Sequence, residues 1–338
     1  MHRPALSVVV PCYNEEATLP LLHARVSAAA RAAVGDDHEI VLVNDGSRDG
    51  SWPAMQALSA ADPRVVAINL SRNHGHQLAL TAGLDLCSGQ QILIIDADLQ
   101  DPPELLADMR AMMAREAADV VYAVRRRREG ETLFKKATAA FFYRFLDRVT
   151  DTPIPLDTGD FRLMTRRALD ALLSLPEQAR FIRGMVAWVG FRQVPFAYDR
   201  AERHAGETNY PLGKMVRLAL DAVTGFSTAP LRWASHLSVI LAACSLLLLF
   251  YIGWGYFSGQ RVQGWTSTML VVVVLSSIQM FVLGLIGEYL GRLYIEAKRR
   301  PLYLVADIAG QVHGRATLGF QAEATRIPDA LVASEEPA

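Results

Sequence analysis

Two uncharged apolar runs in the last third of the chain limit what the rest of it can be. Ser235–Phe257 and Thr266–Ile286 contain no Lys, Arg, Asp or Glu, and each reaches the roughly 20 residues needed to cross a hydrocarbon core. A single run of this kind reads equally well as a buried core helix. Two of them flanking a short turn with Gly and Gln read as a helical hairpin in a membrane. Arg217 and Arg232 precede the first run, Arg292, Lys298, Arg299 and Arg300 follow the second, and Arg261 alone lies in the connection. Basic residues stay on the cytosolic side of inserted helices, so both chain ends are expected in the cytosol. Just upstream, Leu212, Met215, Val216, Ala219, Leu220, Val223 and Phe226 recur at helical spacing, with Lys214, Arg217 and Asp221 elsewhere on the wheel. That pattern describes a helix able to lie in the interface plane.

The first ~200 residues have a different grammar. At 338 residues the chain accommodates a full α/β domain beside the anchor. Short β-branched runs alternate with helical patterns, which argues for a mainly parallel sheet covered by helices. The expected strands are Leu6–Val10, Glu39–Asn44, Val65–Asn69, Gln91–Ile95 and Val120–Ala123. Their near-continuous apolar character suits strands buried on both faces. Helices are expected over Thr18–Ala33, Ser51–Ala61, His76–Leu86, Pro103–Glu116 and Leu133–Thr150.

Composition removes several function classes. The formal net charge is −1, so no basic field points to nucleic acid. Mean hydropathy is +0.17, with the excess in the C-terminal third. Cys12, Cys87 and Cys244 are far apart and lack a metal-type spacing, as expected of a reduced, cytosol-facing domain. A strand-like run begins almost at the N-terminus, without a charged leader, and no signal peptide is expected.

Polar clusters sit where the strands should end, and in open α/β sheets ligands bind beyond the carboxyl ends of the strands. They are Pro11-Cys12-Tyr13-Asn14-Glu15-Glu16, Asn44-Asp45-Gly46-Ser47-Arg48-Asp49-Gly50-Ser51, Ser71-Arg72-Asn73-His74-Gly75-His76-Gln77 and Asp96-Ala97-Asp98. Helix caps and turns favour the same residue types, but four such clusters on one edge favour a ligand site. Asp96 and Asp98, two apart in extended chain, would project the same way. Like charges held that close call for a divalent cation or donor hydroxyls. Carboxylates with nucleotide phosphates are a usual ligand set for Mg²⁺. The chain contains no Walker loop and no GxGxxG, which argues against an NTPase or dinucleotide oxidoreductase. His74, His76 and His204 show no metal-ligand spacing and read as loop or cap residues.

Ser7–Glu16 (SVVVPCYNEE), Val43–Ser51 (VNDGSRDGS), Asp96–Leu105 (DADLQDPPEL) and Asp157–Met164 (DTGDFRLM) resemble family 2 glycosyltransferases of the GT-A fold. More closely, residues 5–305 resemble polyprenyl-phosphate glycosyltransferases such as bactoprenol glucosyltransferases and dolichol-phosphate mannose synthases. Gly287-Glu288-Tyr289-Leu290-Gly291-Arg292 matches that group as well. The resemblance implies that Pro11, Tyr13, Asn14, Glu15, Asp45 and Gly46 bind the donor. Asp96 would lie near ribose and diphosphate, Asp98 would bind Mg²⁺ or Mn²⁺ with Asp96, and Gln100 would be close by. Asp157 is the position such enzymes use as a base near the acceptor. The acceptor phosphate is already mostly ionised at neutral pH, with a second pKa of about 6, so an orienting role stands beside proton removal.

A lipid phosphate needs cations near the interface. Arg125 and Arg128 match the family's spaced arginines, whereas Arg126 and Arg127 read as solvated loop. Arg200–Tyr210 resembles the family's Arg-x-x-Gly-Glu-Ser-Lys-Tyr segment, with Thr208 for Ser and Asn209 for Lys. That departure shifts weight to Arg203 and Lys214, and Arg200 is also among the expected phosphate contacts. Leu231-Arg232-Trp233 is similar to the QxxRW signature of processive synthases, but Ala229 stands at the Gln position. Glu288 and Arg292, one helical turn apart, read as an interfacial ion pair.

The domains implied are a GT-A domain over 1–210, interfacial helices over 211–232, two transmembrane helices over 233–295 and a cytosolic tail over 296–338. The implied enzyme sits in the inner membrane and transfers sugar with inversion from UDP-glucose to undecaprenyl phosphate; relatives with this hairpin can assemble as tetramers, and a homotetramer is one state open to it. A GDP-mannose-dependent synthase and an amino- or formamido-sugar transferase are the rival enzyme readings. A non-catalytic scaffold is opposed by the intact Asp96, Asp98 and Asp157.

Overall fold

The computed structural model describes residues 3–125, 158–199, 229–258 and 264–311. The expected helix Leu133–Thr150 and the interfacial segment 211–232, but for its last residues, lie outside them. The chain divides into two compact units. One contains the sheet and resumes at Pro301; the other contains the two long helices.

In the first unit the strands are β1 (Leu6–Cys12), β2 (His38–Asn44), β3 (Val65–Leu70), β4 (Gln91–Ile94), β5 (Val120–Arg125), β6 (Thr158–Thr165), β7 (Gln193–Tyr198) and β8 (Val305–Ala309). They form one sheet in the order β7-β5-β6-β4-β1-β2-β3-β8. β1 pairs in parallel with both β2 and β4, and β2 with β3. Val8, Val9 and Val10 and Ile40–Val43 are buried on both faces, as their β-branched runs require. Helices α1 (Leu19–Val34), α2 (Ser51–Ala61), α3 (His76–Leu86) and α4 (Leu106–Arg115) cover this block. α4 is preceded by a 3-10 turn over Pro103–Leu105. α3 lies close on the sheet because Gly83 has no side chain; a Cβ there would fall 2.4 Å from Val9 Cγ1.

The remaining strands make the sheet mixed. β6 runs antiparallel between β4 and β5, with Ile94 opposite Arg162 and Val124 opposite Thr158. β7 is parallel to β5 and aligns Tyr198 with Arg125. Helices α5 (Arg166–Leu173) and α6 (Ile182–Trp188) lie between β6 and β7. α5 starts where the Thr165 hydroxyl accepts the Ala168 N–H at 3.3 Å, a side-chain cap. The carboxyl ends of β1–β5 and β7 and the start of β6 therefore share one edge of the sheet.

The expected C-terminal tail contains a strand. β8 pairs antiparallel with β3, Ser71 N–H donates to Leu304 O at 2.9 Å, and the Tyr303 hydroxyl donates to Asp85 Oδ2 at 2.9 Å. Five residues after a long helix offer little periodicity, so only their pairing reveals them.

The second unit holds α7 (Ala229–Phe257) and α8 (Trp265–Lys298). Both are long and apolar enough to cross a membrane. Their side chains are not core: Leu247, Phe250 and Phe281 are each at least 70% exposed, and so much apolar surface requires an apolar surrounding. At 34 residues, α8 extends about 50 Å, longer than a ~30 Å hydrocarbon core. Glu288 and Arg292 form the expected i,i+4 pair at 3.5 Å. α8 stops at left-handed Arg299, with Pro301 shortly after.

Candidate active site

Strand order reverses at β1: β2 and β3 lie on one side of it, β4 on the other. Such a switch point opens a crevice at the carboxyl edge. Pro11, Cys12 and Tyr13 from the end of β1 and Asp45 after β2 line a cleft of about 210 Å³ there. Asn73, Gly75, His76 and Ala79 complete its wall. Tyr13 is 43% exposed and offers a ring face to a flat ligand.

The first two loops are stitched together. Asn14 N–H donates to Ser47 Oγ at 2.9 Å, and Asn14 Oδ1 accepts Arg48 N–H at 2.8 Å. Glu15 N–H donates to Ser51 Oγ at 2.9 Å, while its Oε2 accepts from the Thr18 hydroxyl at 2.7 Å. Asn14 and Glu15 thus shape the cleft from behind, whereas Pro11, Tyr13 and Asp45 face it. Asp45 is nearly buried and accepts the His74 N–H at 2.7 Å and the Gly75 N–H at 2.9 Å. Burial raises its carboxyl pKa, and those amides only partly offset the rise. Gly46 serves the backbone: its φ is +63°, and a Cβ would fall 2.5 Å from Arg72 C and Asn73 N. Only glycine lets the second loop lie on the third at that distance.

β4 ends at Ile94, so Asp96 lies past the strand and Asp98 in the turn that follows, not in one extended run. The strand-spacing argument for their common direction therefore fails. They are still close enough that Asp98 raises the pKa of Asp96. Burial is the larger cause; with neighbouring Asp160, Asp101 and Asp98 it pushes the Asp96 carboxyl up to about 6, against the pull of His76. Asp96 Oδ1 is buried with no hydrogen-bond partner. Asp98 Oδ1 accepts the Gln100 N–H at 3.1 Å, and Gln100 is nearly buried.

His76 has more than a cap role. His76, Asp96 and Asp160 offer ligand atoms within 4.8 Å of one another. His76 Nε2 lies 3.0 Å from Asp160 Oδ2 and 3.6 Å from Asp96 Oδ1. Asp160 is only 2% exposed but well compensated. Arg183 reaches its two oxygens at 2.8 and 3.2 Å, Gln77 Nε2 donates at 3.3 Å, and buried Arg162 lies 3.8 Å away. Burial alone would raise the Asp160 carboxyl, but His76 and Arg183 win and hold it far below the usual range. Burial lowers Arg162 to about 10 despite Asp160. Asp160 is thus the anchor of a balanced ion cluster, and Asp96 is the carboxylate with an unsatisfied oxygen.

The sequence contained one signal for this cluster. Asp160 and Arg162 interrupt an apolar strand at i and i+2, the spacing of one strand face. Nothing marked Arg183, which comes from α6. Of the expected acceptor contacts, Arg125 ends β5 at this edge; Arg128, Arg200, Arg203 and Lys214 lie outside the described residues. Asp157 lies outside them too, one residue before β6.

A polar cleft bordered by Asp45 at the switch point of an α/β sheet, in a chain with two membrane-length helices, fits a membrane-associated enzyme with a polar ligand. The family comparisons agree. Residues 7–173 match the Glycosyl transferase family 2 description, and residues 229–293 match the GtrB C-terminal hairpin. An uncharacterized glycosyltransferase of Bacillus subtilis (strain 168), YkcC, is 47% identical over 305 residues, covering 90% of this chain and 94% of that one. The bactoprenol glucosyl transferase of Shigella phage SfV is 36% identical over 306 residues, covering 89% and 98%. Among solved structures, glucosyl-3-phosphoglycerate synthase from Mycobacterium tuberculosis overlaps with a TM-score of 0.43 at 20% identity, covering 65% and 78%. The chain belongs to glycosyltransferase family 2 and carries the GtrB-type C-terminal hairpin.

Proposed function

We propose that this enzyme transfers a sugar from a nucleotide sugar, with UDP-glucose the first candidate, to a polyprenyl phosphate such as undecaprenyl phosphate. The observation that carries the reading is the match to a bactoprenol glucosyl transferase over 89% of this chain, together with the match of residues 229–293 to the GtrB C-terminal hairpin. A donor cleft and a membrane-length helix pair in one chain support it.

The nucleoside would occupy the cleft of Pro11, Tyr13 and Asp45, with its diphosphate running toward Asp96 and Asp98. Those carboxylates suit a divalent cation: Asp96 Oδ1 is buried without a hydrogen bond, and burial, with its neighbours' charges, raises the proton affinity of Asp96 until a cation offsets them. When bound, such an ion supplies charge neutralisation for the departing diphosphate. The acceptor phosphate oxygen attacks the anomeric carbon from the side opposite the leaving group. The bond between that carbon and the diphosphate oxygen breaks, its electron pair leaves with the nucleoside diphosphate, and the configuration inverts. Asp157 orients the acceptor phosphate or takes its residual proton, and Arg125, Arg128, Arg200, Arg203 and Lys214 supply its counter-charge.

The cytosolic face is supported by Arg232 in the first turn of α7 and by Arg292, Lys298, Arg299 and Arg300 near the end of α8.

The test is transfer by membranes containing the protein, offered labelled UDP-glucose, GDP-mannose and UDP-GlcNAc with undecaprenyl phosphate and Mn²⁺ or Mg²⁺. Lipid-linked label from UDP-glucose is expected. Label from GDP-mannose alone would move the chain to the mannose-synthase reading, and nucleotide binding without transfer from any donor would favour a scaffold.

A further inference from the structure

The turn that bears the candidate cation ligands is strained. Leu99 has φ +59°, a left-handed backbone that costs a non-glycine residue about 1–3 kcal/mol and persists only when its surroundings enforce it. Part of the enforcement is hydrophobic: Ala97 and Leu99 are 4% and 2% exposed and belong to the main core. The rest lies at the end of the turn. Asp101 is fully buried, and its Oδ1 accepts the hydroxyl of Tyr198, itself only 4% exposed. Pro102 follows and restricts the backbone beyond.

Tyr198 is well placed as a fixed point. It is the last residue of β7, and its ring meets Phe161 edge-on, with centroids 5.8 Å apart at 70°. Phe161 lies between Asp160 and Arg162 of the buried ion cluster. The phenol is thus clamped by its ring, and its hydroxyl grips the far end of the turn. A buried carboxylate depends on its donors. Removing the hydroxyl penalises Asp101 in place, and a strained turn can relieve that penalty by moving.

We infer that Tyr198 is a positioning residue for donor binding: its hydrogen bond to Asp101 sets the turn that presents Asp98 and Gln100. This rests on the cation reading of Asp96 and Asp98 above. Two residues further on, the chain enters the segment with Arg200 and Arg203, so Tyr198 joins the donor turn to the start of the expected acceptor segment.

The experiment measures Mn²⁺ binding to the full-length protein in detergent with UDP, by electron paramagnetic resonance, alongside steady-state transfer. Tyr198→Phe keeps the ring and is expected to weaken Mn²⁺ binding about 10-fold, with acceptor KM unchanged and kcat at saturating Mn²⁺ within about twofold of wild type. Asp101→Ala should match it, and the double variant should be no worse than either single one. Asp101→Asn, which keeps an acceptor oxygen for the phenol, should recover most of the affinity. Wild-type Mn²⁺ affinity in Tyr198→Phe, or additive losses in the double variant, would overturn the inference. If Tyr198→Phe does not fold, equal Mn²⁺ affinities for Asp101→Ala and Asp101→Asn would overturn it. A wild-type protein that binds no Mn²⁺ with UDP would remove the cation reading itself, and this inference with it.

Discussion

Asp96 and Asp160 are adjacent carboxylates at the same sheet edge, with ligand atoms within 4.8 Å, yet their surroundings treat them oppositely. Asp160 is more deeply buried and is held ionised by Arg183, His76 and the nearby Arg162. Asp96 is pushed up to about 6 by burial and by other carboxylates, and its Oδ1, 3.6 Å from His76, accepts no hydrogen bond. The first has its counter-charges built into the chain. The second lacks a comparable set, and in the proposed reading a cation that arrives with the substrate supplies it. Proximity to a cleft does not separate these roles; the balance of charge around each group does.

The sharpest way to break this contrast is to neutralise each side in turn. Asp98→Asn, on the ligand side, should cut transfer by about 10³-fold, equivalent to about 4 kcal/mol of lost transition-state stabilisation. Its thermal unfolding should match wild type, and an active Asp98→Asn enzyme would sink the cation assignment. Asp160→Asn should show the reverse emphasis. It leaves the buried Arg162 guanidinium undercompensated and should cost about 3–5 kcal/mol of stability, read as a lower denaturation midpoint in detergent. If both variants lowered that midpoint equally, Asp96 and Asp98 would belong to the structural class.

Gly46 probes the packing of the second loop on the third, beside Asp45. Gly46→Ala forces a Cβ onto the backbone of Arg72 and Asn73 and should cost about 1–3 kcal/mol. Donor KM should rise more than acceptor KM, because the loop that moves carries Asp45, which lines the proposed donor cleft. The smallest effect is expected at Asp62, a carboxylate of the compensated kind remote from the cleft. Burial alone would raise its pKa, but Arg64 and His23 hold it at about 2. A depressed carboxylate pKa stabilises the fold above the unfolded value near 3.9 and is lost as pH falls through the folded value. Asp62→Asn should therefore flatten the stability profile between about pH 4 and 2 and leave its shape unchanged near pH 7.

The same contrast marks how far the sequence could be read. β1 to β4 were legible because both of their faces are buried, which writes continuous apolar runs such as Val8–Val10 and Ile40–Val43. The cleft was legible because parallel strands bring their following loops to one edge, so Tyr13, Asp45 and Asp96 had to converge. β6 was hidden by Asp160 and Arg162, charges that contradict a strand until their partners are known. β7 carries Pro195, which suits its edge position but argues against a strand in isolation.

Periodicity and residue chemistry, which act locally, determined the α/β domain, the apolar hairpin with its basic flanks and the acidic turn at Asp96–Asp98. Tertiary structure alone decided which carboxylate is compensated. His76 meets Asp160 across 84 positions, and Tyr198 meets Asp101 across 97. The cost of a buried charge depends on what chain folding brings within a few ångströms of it, and no local pattern records that.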